Sequence, residues 1–167
     1  MTTKRSGLVL SVFLLFAVFP VRAQNPHCEQ VGGVLMTNIG AIKVPSPQGT
    51  NLGPVFGDLA GSVAATILGQ NPDGTFNVQH YWVTASGETI NFDVAHLVPT
   101  ATDDPNVVAV KWGNYKSAIV GGTGKFADAK GTLEYFGLAD FNPSQLTLVL
   151  RYRGEVCFSS SANASKK

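Results

Sequence analysis

No basic patch, no metal-ligand spacing and no nucleophile motif can be found in this chain, and each absence removes a class of function. Only 14% of the 167 residues are charged, with 12 Lys and Arg against 11 Asp and Glu. Nucleic acid and anionic membrane surfaces call for clustered Lys and Arg, so neither is an expected partner. The two cysteines, Cys28 and Cys157, are not in a CxxC pair, and no His-rich ligand set stands near them. A G-x-S-x-G elbow is missing, and Glu134 and Glu155 do not form an evident carboxylate pair for glycoside hydrolysis. Long amphipathic helical stretches and internal repeats are also missing.

The N-terminus has the order of a secretory signal: a positive Lys4-Arg5, an apolar run from Gly7 to Phe19, Pro20, then Val21-Arg22-Ala23. The apolar run is short of the roughly 20 residues that span a bilayer. Cleavage after Ala23 is expected, with residues 1–23 lost, a domain at 24–158 and a Ser-, Ala- and Lys-rich tail at 159–167 that frays. No Cys follows the cleavage site, which argues against a lipid anchor. Loss of Lys4, Arg5 and Arg22 leaves the mature chain slightly acidic, without a membrane segment, in the periplasm or outside the cell. In such an oxidising place Cys28 and Cys157 are expected to form a disulfide.

Gly and turn residues recur at short intervals between runs of Val, Ile, Thr, Leu and aromatics, the pattern of an all-β domain. About eight strands are predicted: Gln30–Thr37, Asp58–Leu68, Thr75–Thr84, Glu88–Leu97, Val107–Lys111, Lys116–Val120, Thr132–Leu138 and Gln145–Val156. Asn71-Pro72-Asp73-Gly74, Ala85-Ser86-Gly87 and Gly113-Asn114 read as tight turns joining antiparallel neighbours. The segment Lys43–Pro54, with three prolines and two glycines, reads as a loop or lid. Phe76, Val78, His80 and Trp82 share one face. Ile90, Phe92, Val94 and His96 share another, as do Leu146, Leu148, Leu150 and Tyr152. One apolar face on each antiparallel strand calls for a sandwich or a closed barrel. An eight-stranded barrel is either filled by side chains or holds one small ligand.

The stretch Gly121-Gly122-Thr123-Gly124-Lys125-Phe126-Ala127-Asp128-Ala129-Lys130-Gly131 matches a dinucleotide fingerprint in part. Its glycines are too close to the next strand to admit the crossover helix that fingerprint requires. A Walker loop fails as well, since Phe126 stands where Ser or Thr belongs. The remaining reading is conformational: the glycines turn the chain sharply and Phe126 plugs one end of a barrel.

With Val120, this stretch resembles the V-x-G-G-T-G-x-F-x-x-A-x-G motif of the allene oxide cyclase and dirigent barrel superfamily, in an exported bacterial-type form. Asn51–Leu59 and the strand ending Leu150-Arg151-Tyr152-Arg153-Gly154 resemble it more weakly. The resemblance implies a closed antiparallel eight-stranded β-barrel with an apolar cavity, no cofactor, and a homo-oligomer. It does not supply a catalytic set: the early strand has no interior acid, and Arg151 and Arg153 fall on the polar phase. Candidate pocket residues are His80, Trp82, His96, Tyr135 and Tyr152, although Glu134, Phe136 and Leu138 compete with Tyr135 for the inward phase. A metal site of His80, Asp93 and His96 would need a bulge, because Asp93 and His96 have opposite parity. Two functions follow. One is binding of a small apolar molecule, with or without its cofactor-free isomerisation or orientation. The other is a solid-cored, non-enzymatic interaction module.

Overall fold

The computed structural model describes residues 26–42 and 49–159. The expected signal segment and most of the expected tail lie outside the described residues. The described residues form eleven strands: β1 (His27–Ile42), β2 (Thr50–Gly57), β3 (Gly61–Gln70), β4 (Phe76–Thr84), β5 (Thr89–Phe92), β6 (Ala95–Leu97), β7 (Thr100–Ala101), β8 (Val107–Val110), β9 (Tyr115–Gly122), β10 (Lys130–Asp140) and β11 (Thr147–Phe158).

They close into an antiparallel barrel of eight staves. β1 pairs with both β2 and β11, β2 with β3, β3 with β4, and β10 with β11. β5 and β6 share the fifth stave, each pairing with β4 and with β9. β8 and β9 share the sixth, since both pair with β10 in the same sense. Closure leaves few free edges.

The eight staves differ in part from the eight expected strands. The proline-bearing segment read as a loop, Lys43–Pro54, carries the first part of β2, Thr50 to Pro54. Pro54 keeps its partner Ser62 on β3, and the β1–β2 pairing lapses at Gly53 and Pro54, between Leu35–Val55 and Asn38–Leu52. Gly113-Asn114 is not a hairpin: Asn114 N donates to Lys111 O (3.1 Å), and the turn is a break within one stave. The predicted strand Glu88–Leu97 is interrupted at Asp93-Val94, and this interruption shifts its phase. Ala95 is therefore buried, and Val94 and His96 point outward.

The two barrel ends are built differently. At one end lie the turns after β2 and β4, the disulfide and the glycine-rich connection between β9 and β10. Cys28 and Cys157 are register partners on β1 and β11 and are bonded to each other. Here Gly124 adopts φ +57 and starts a single 3-10 turn, Gly124–Phe126, which drives Phe126 fully into the core. Thr123 N donates to Thr89 O (3.1 Å), and Phe126 N donates back to Thr123 O (3.0 Å). At Gly122 a Cβ would strike the Thr89 carbonyl and lie 2.9 Å from Phe126 Cβ, so only glycine lets the plug seat. Trp82, Phe92, Tyr152 and Phe158 fill this half of the barrel.

At the other end lie the Gln70–Thr75 connection, the β7–β8 loop and the β10–β11 turn. The inward residues there include the small Ala65 and Ala139.

Candidate functional site

The open half of the barrel encloses a cavity of about 620 Å³, within the range of small-molecule sites. Alternation along each stave builds its wall. β1 contributes Leu35, Thr37 and Ile39; β3 contributes Val63, Ala65 and Ile67; β4 contributes Phe76, Val78 and His80. Val110, Tyr115, Ala139, Leu148 and Leu150 complete most of the circuit. The lining is overwhelmingly apolar, and none of its described residues is charged.

His80 is the deepest cavity residue on β4. Its Nε2 is 2.7 Å from the Tyr115 hydroxyl and its Nδ1 is 2.8 Å from Ser117 Oγ. Tyr115 and Ser117 alternate inward on β9, one on each side of the imidazole. The rings of Tyr115 and Tyr135 lie 4.7 Å apart, and that of His80 lies 5.3 Å from Tyr135. The cavity floor is thus one hydrogen-bonded chain, Tyr115–His80–Ser117, packed against the Tyr135 ring beneath a greasy wall.

Burial decides the protonation states. It holds the His80 imidazole down at about 4 and pushes the Tyr115 and Tyr135 hydroxyls up. At neutral pH His80 is therefore uncharged, with one nitrogen donating and the other accepting. The unfolded chain, with an ordinary His near 6.5, binds a proton that the folded chain refuses. Folding stability from this group is complete above pH 6.5 and falls as pH drops toward 4, by on the order of 3 kcal/mol in total. Urea titrations across that window should show this loss, and His80→Gln should flatten it. Glu134 is also held below its ordinary range, first by its hydrogen bond with Lys116 and then by Arg153. Its contribution is lost at lower pH than that of His80.

The sequence-derived pocket residues separate in the structure. His80 lines the cavity. Tyr135 is buried beneath the floor, whereas Phe136 and Leu138 face out. Trp82 and Tyr152 lie one layer further toward the closed end, their rings edge to face at 5.3 Å. The Tyr152 hydroxyl accepts from Leu59 N (3.0 Å) and donates to Phe56 O (3.3 Å), which ties down the turn after β2. His96 is exposed on the outer face, displaced by the phase change at Asp93-Val94, and is no pocket residue. For the same reason His80, Asp93 and His96 do not come together: one is inside, the other two outside. Arg151 and Arg153 also face outward, Arg153 against Glu134 (3.3 Å) and over the Trp112 ring.

Tyr115, Ser117 and Thr37 are cavity or floor residues that sequence reasoning missed. Parity carried the signal: Tyr115, Ser117 and Ile119 share one face of β9, and Leu35 and Thr37 one face of β1.

No family model matches the chain, and no curated protein sequence matches it either. Among solved structures it is similar to a pterocarpan synthase dirigent protein, GePTS1, with a TM-score of 0.52 at 15% identity. The similarity covers 89% of this chain and 100% of that one. At that identity the likeness concerns the fold, and it agrees with the closed eight-stave barrel described above.

Proposed function

We propose that this protein is exported and that its barrel binds one small apolar molecule in the open half, orienting it without a cofactor. The observation that carries the reading is the division of the barrel: a solid plugged half supports an apolar cavity of about 620 Å³ with a polar floor. A filled interaction module would have large side chains at every layer. Here the layers of Ala65, Val78, Ala139 and Leu148 leave room instead. The dirigent likeness supports the same reading by analogy of fold.

Export is supported by the signal-like N-terminus and by the Cys28–Cys157 disulfide, a bond typical of oxidising compartments. The reading includes a homo-oligomer, supported by a row of exposed apolar residues on the outer face. Met36 and Val149 are register partners there, as are Val149 and Leu138.

The floor gives the site its chemistry. A neutral imidazole between two hydroxyls can present either a lone pair or a proton through Tyr115, so a ligand oxygen can be met in either role. Ordering of the ligand comes from the shape of the wall, and exclusion of water from its apolar surface.

Native mass spectrometry of the mature protein, purified from its own host, tests this. One bound small molecule per chain is expected, along with one-to-one binding of an added terpenoid or phenol. A protein that takes up neither, alongside fatty acids that also fail to bind, would refute the reading.

A further inference from the structure

The cavity and the open end of the barrel above it differ sharply in charge. None of the described cavity-lining residues is Asp, Glu, Lys or Arg. Two of its polar side chains are already matched: His80 is bonded at both nitrogens, and Asn51 Oδ1 accepts the Gly40 N–H at 2.9 Å. A charged group carried inside would be buried without a partner, at a high cost in free energy. The charged end of a ligand therefore stays at the mouth, where water reaches it.

The mouth is built from three connections: Gln70–Thr75, the loop between β7 and β8, and the turn between β10 and β11. Gln70, Gly74 and Phe141 line the cavity from this end, with Phe141 half-exposed. Each connection brings acids. Asp73 precedes Gly74, Asp140 precedes Phe141, and Asp103 and Asp104 lie on the β7–β8 loop. That loop is held to the same turn, since Phe141 N donates to Asn106 O at 2.8 Å. Asp73, Asp103 and Asp104 are exposed. Thr75 holds Asp73 ionised: its hydroxyl and its backbone N–H both donate to Asp73 Oδ1. Among the described residues these three connections hold no Lys or Arg. Four carboxylates without a balancing base thus stand at the entry, and the low-dielectric wall beneath them concentrates their field.

We infer that the cavity admits amphiphiles tail first and that its mouth sorts them by the sign of the head group, favouring an apolar amine or quaternary ammonium and turning away sulfates and carboxylates. The apolar wall supplies the binding energy, and the four carboxylates decide which head is tolerated beside them. At about 0.01 M salt the screening length is about 30 Å, enough for all four to act on one head; at about 1 M it is about 3 Å and their reach is lost. This inference rests on the reading of the barrel as a small-molecule site and adds the ligand's orientation and the charge of its head.

Three probes share a decyl tail and carry heads of fixed charge: decyltrimethylammonium, decyl glucoside and decyl sulfate. Each is titrated near neutral pH, below its micelle concentration, against N-phenyl-1-naphthylamine bound to the wild-type protein. At about 0.01 M salt the ammonium should bind about tenfold or more tighter than the sulfate, with the glucoside between them. At about 1 M salt the ammonium and the sulfate should agree within about threefold. The fourfold variant Asp73→Asn/Asp103→Asn/Asp104→Asn/Asp140→Asn should reach the same convergence at low salt. Asparagine keeps the oxygen that accepts a backbone N–H at Asp73, Asp104 and Asp140. The salt series reads the same effect on wild type and does not depend on the variant folding.

A sulfate that binds as tightly as the ammonium at low salt, or a preference that salt or the folded fourfold variant leaves unchanged, would overturn the sorting while leaving the small-molecule site intact. Displacement by none of the three probes, with the naphthylamine still bound at one site per chain, would overturn the tail-first orientation. Failure of the naphthylamine itself to bind wild type would instead remove the site.

Discussion

Removing the Cys28–Cys157 disulfide is expected to lower the unfolding free energy by about 5 kcal/mol. The two cysteines are 129 residues apart in sequence, so the bond closes almost the whole domain into a loop and restricts the unfolded ensemble accordingly. The folded barrel does not need the bond for its shape: β1 and β11 pair from His27–Phe158 through Asn38–Thr147. The loss therefore acts chiefly on the unfolded state, and the reduced protein should keep its secondary structure. Against a typical domain stability of about 5–15 kcal/mol, the change is large. Cys28 is exposed, so reductant can reach the bond. Denaturant midpoints with and without reductant, and for the double variant Cys28→Ser/Cys157→Ser, measure it. Coincident midpoints would contradict the expectation.

The second large effect concerns the plug. Phe126 is fully buried and packs on Phe158 at 5.5 Å between ring centroids, with the Lys125 ammonium 5.0 Å from its own ring centre. Phe126→Ala should cost about 3–5 kcal/mol, through lost burial and the space left behind. The wall of the ligand cavity does not include Phe126. Under conditions where the variant remains folded, ligand affinity should therefore stay near that of wild type. Stability and binding would then be assigned to opposite ends of one barrel. A variant with unchanged melting, or one that stays folded and loses binding, would break that assignment.

Much of the barrel was legible because alternation is a strong signal wherever one face is apolar and the other polar. β4 shows this well: Val78, His80 and Trp82 are buried and Tyr81 and Val83 exposed. The glycine stretch was legible for a different reason, since clustered glycines next to a lone Phe imply a sharp turn and an inserted ring.

The failures have local causes. On β10 both faces are apolar, Leu133 and Tyr135 inward and Phe136 and Leu138 outward, so periodicity could not choose between them. On β5 and β6 the break at Asp93-Val94 reversed the parity that had placed His96 inside. β2 was hidden by Gly53 and Pro54, which are ordinary loop residues elsewhere and are accommodated here at a position without a β1 partner. The equal count of eight also conceals a compensation. One strand was missed, and one broken stave was read as two strands.

The site was legible only in part. His80 stood out as a polar tip on an apolar face. Its partners Tyr115 and Ser117 lie 35 and 37 residues further along the chain, and only closure of the barrel brings β9 beside β5 and β6 and across from β4. Nor could sequence alone reveal that the barrel is full at one end and hollow at the other. That division depends on which layers receive aromatic rings and which receive Ala65 and Ala139.

Filling the hollow half is the most direct test of this account. Ala139 is buried, lines the cavity and faces Leu148 across β10 and β11, so Ala139→Trp would place an indole where a ligand must sit. Displacement titrations with a neutral apolar fluorophore should give one site per chain in wild type and no saturable binding in a folded Ala139→Trp variant. Undiminished binding by that variant would put the ligand elsewhere and contradict the account.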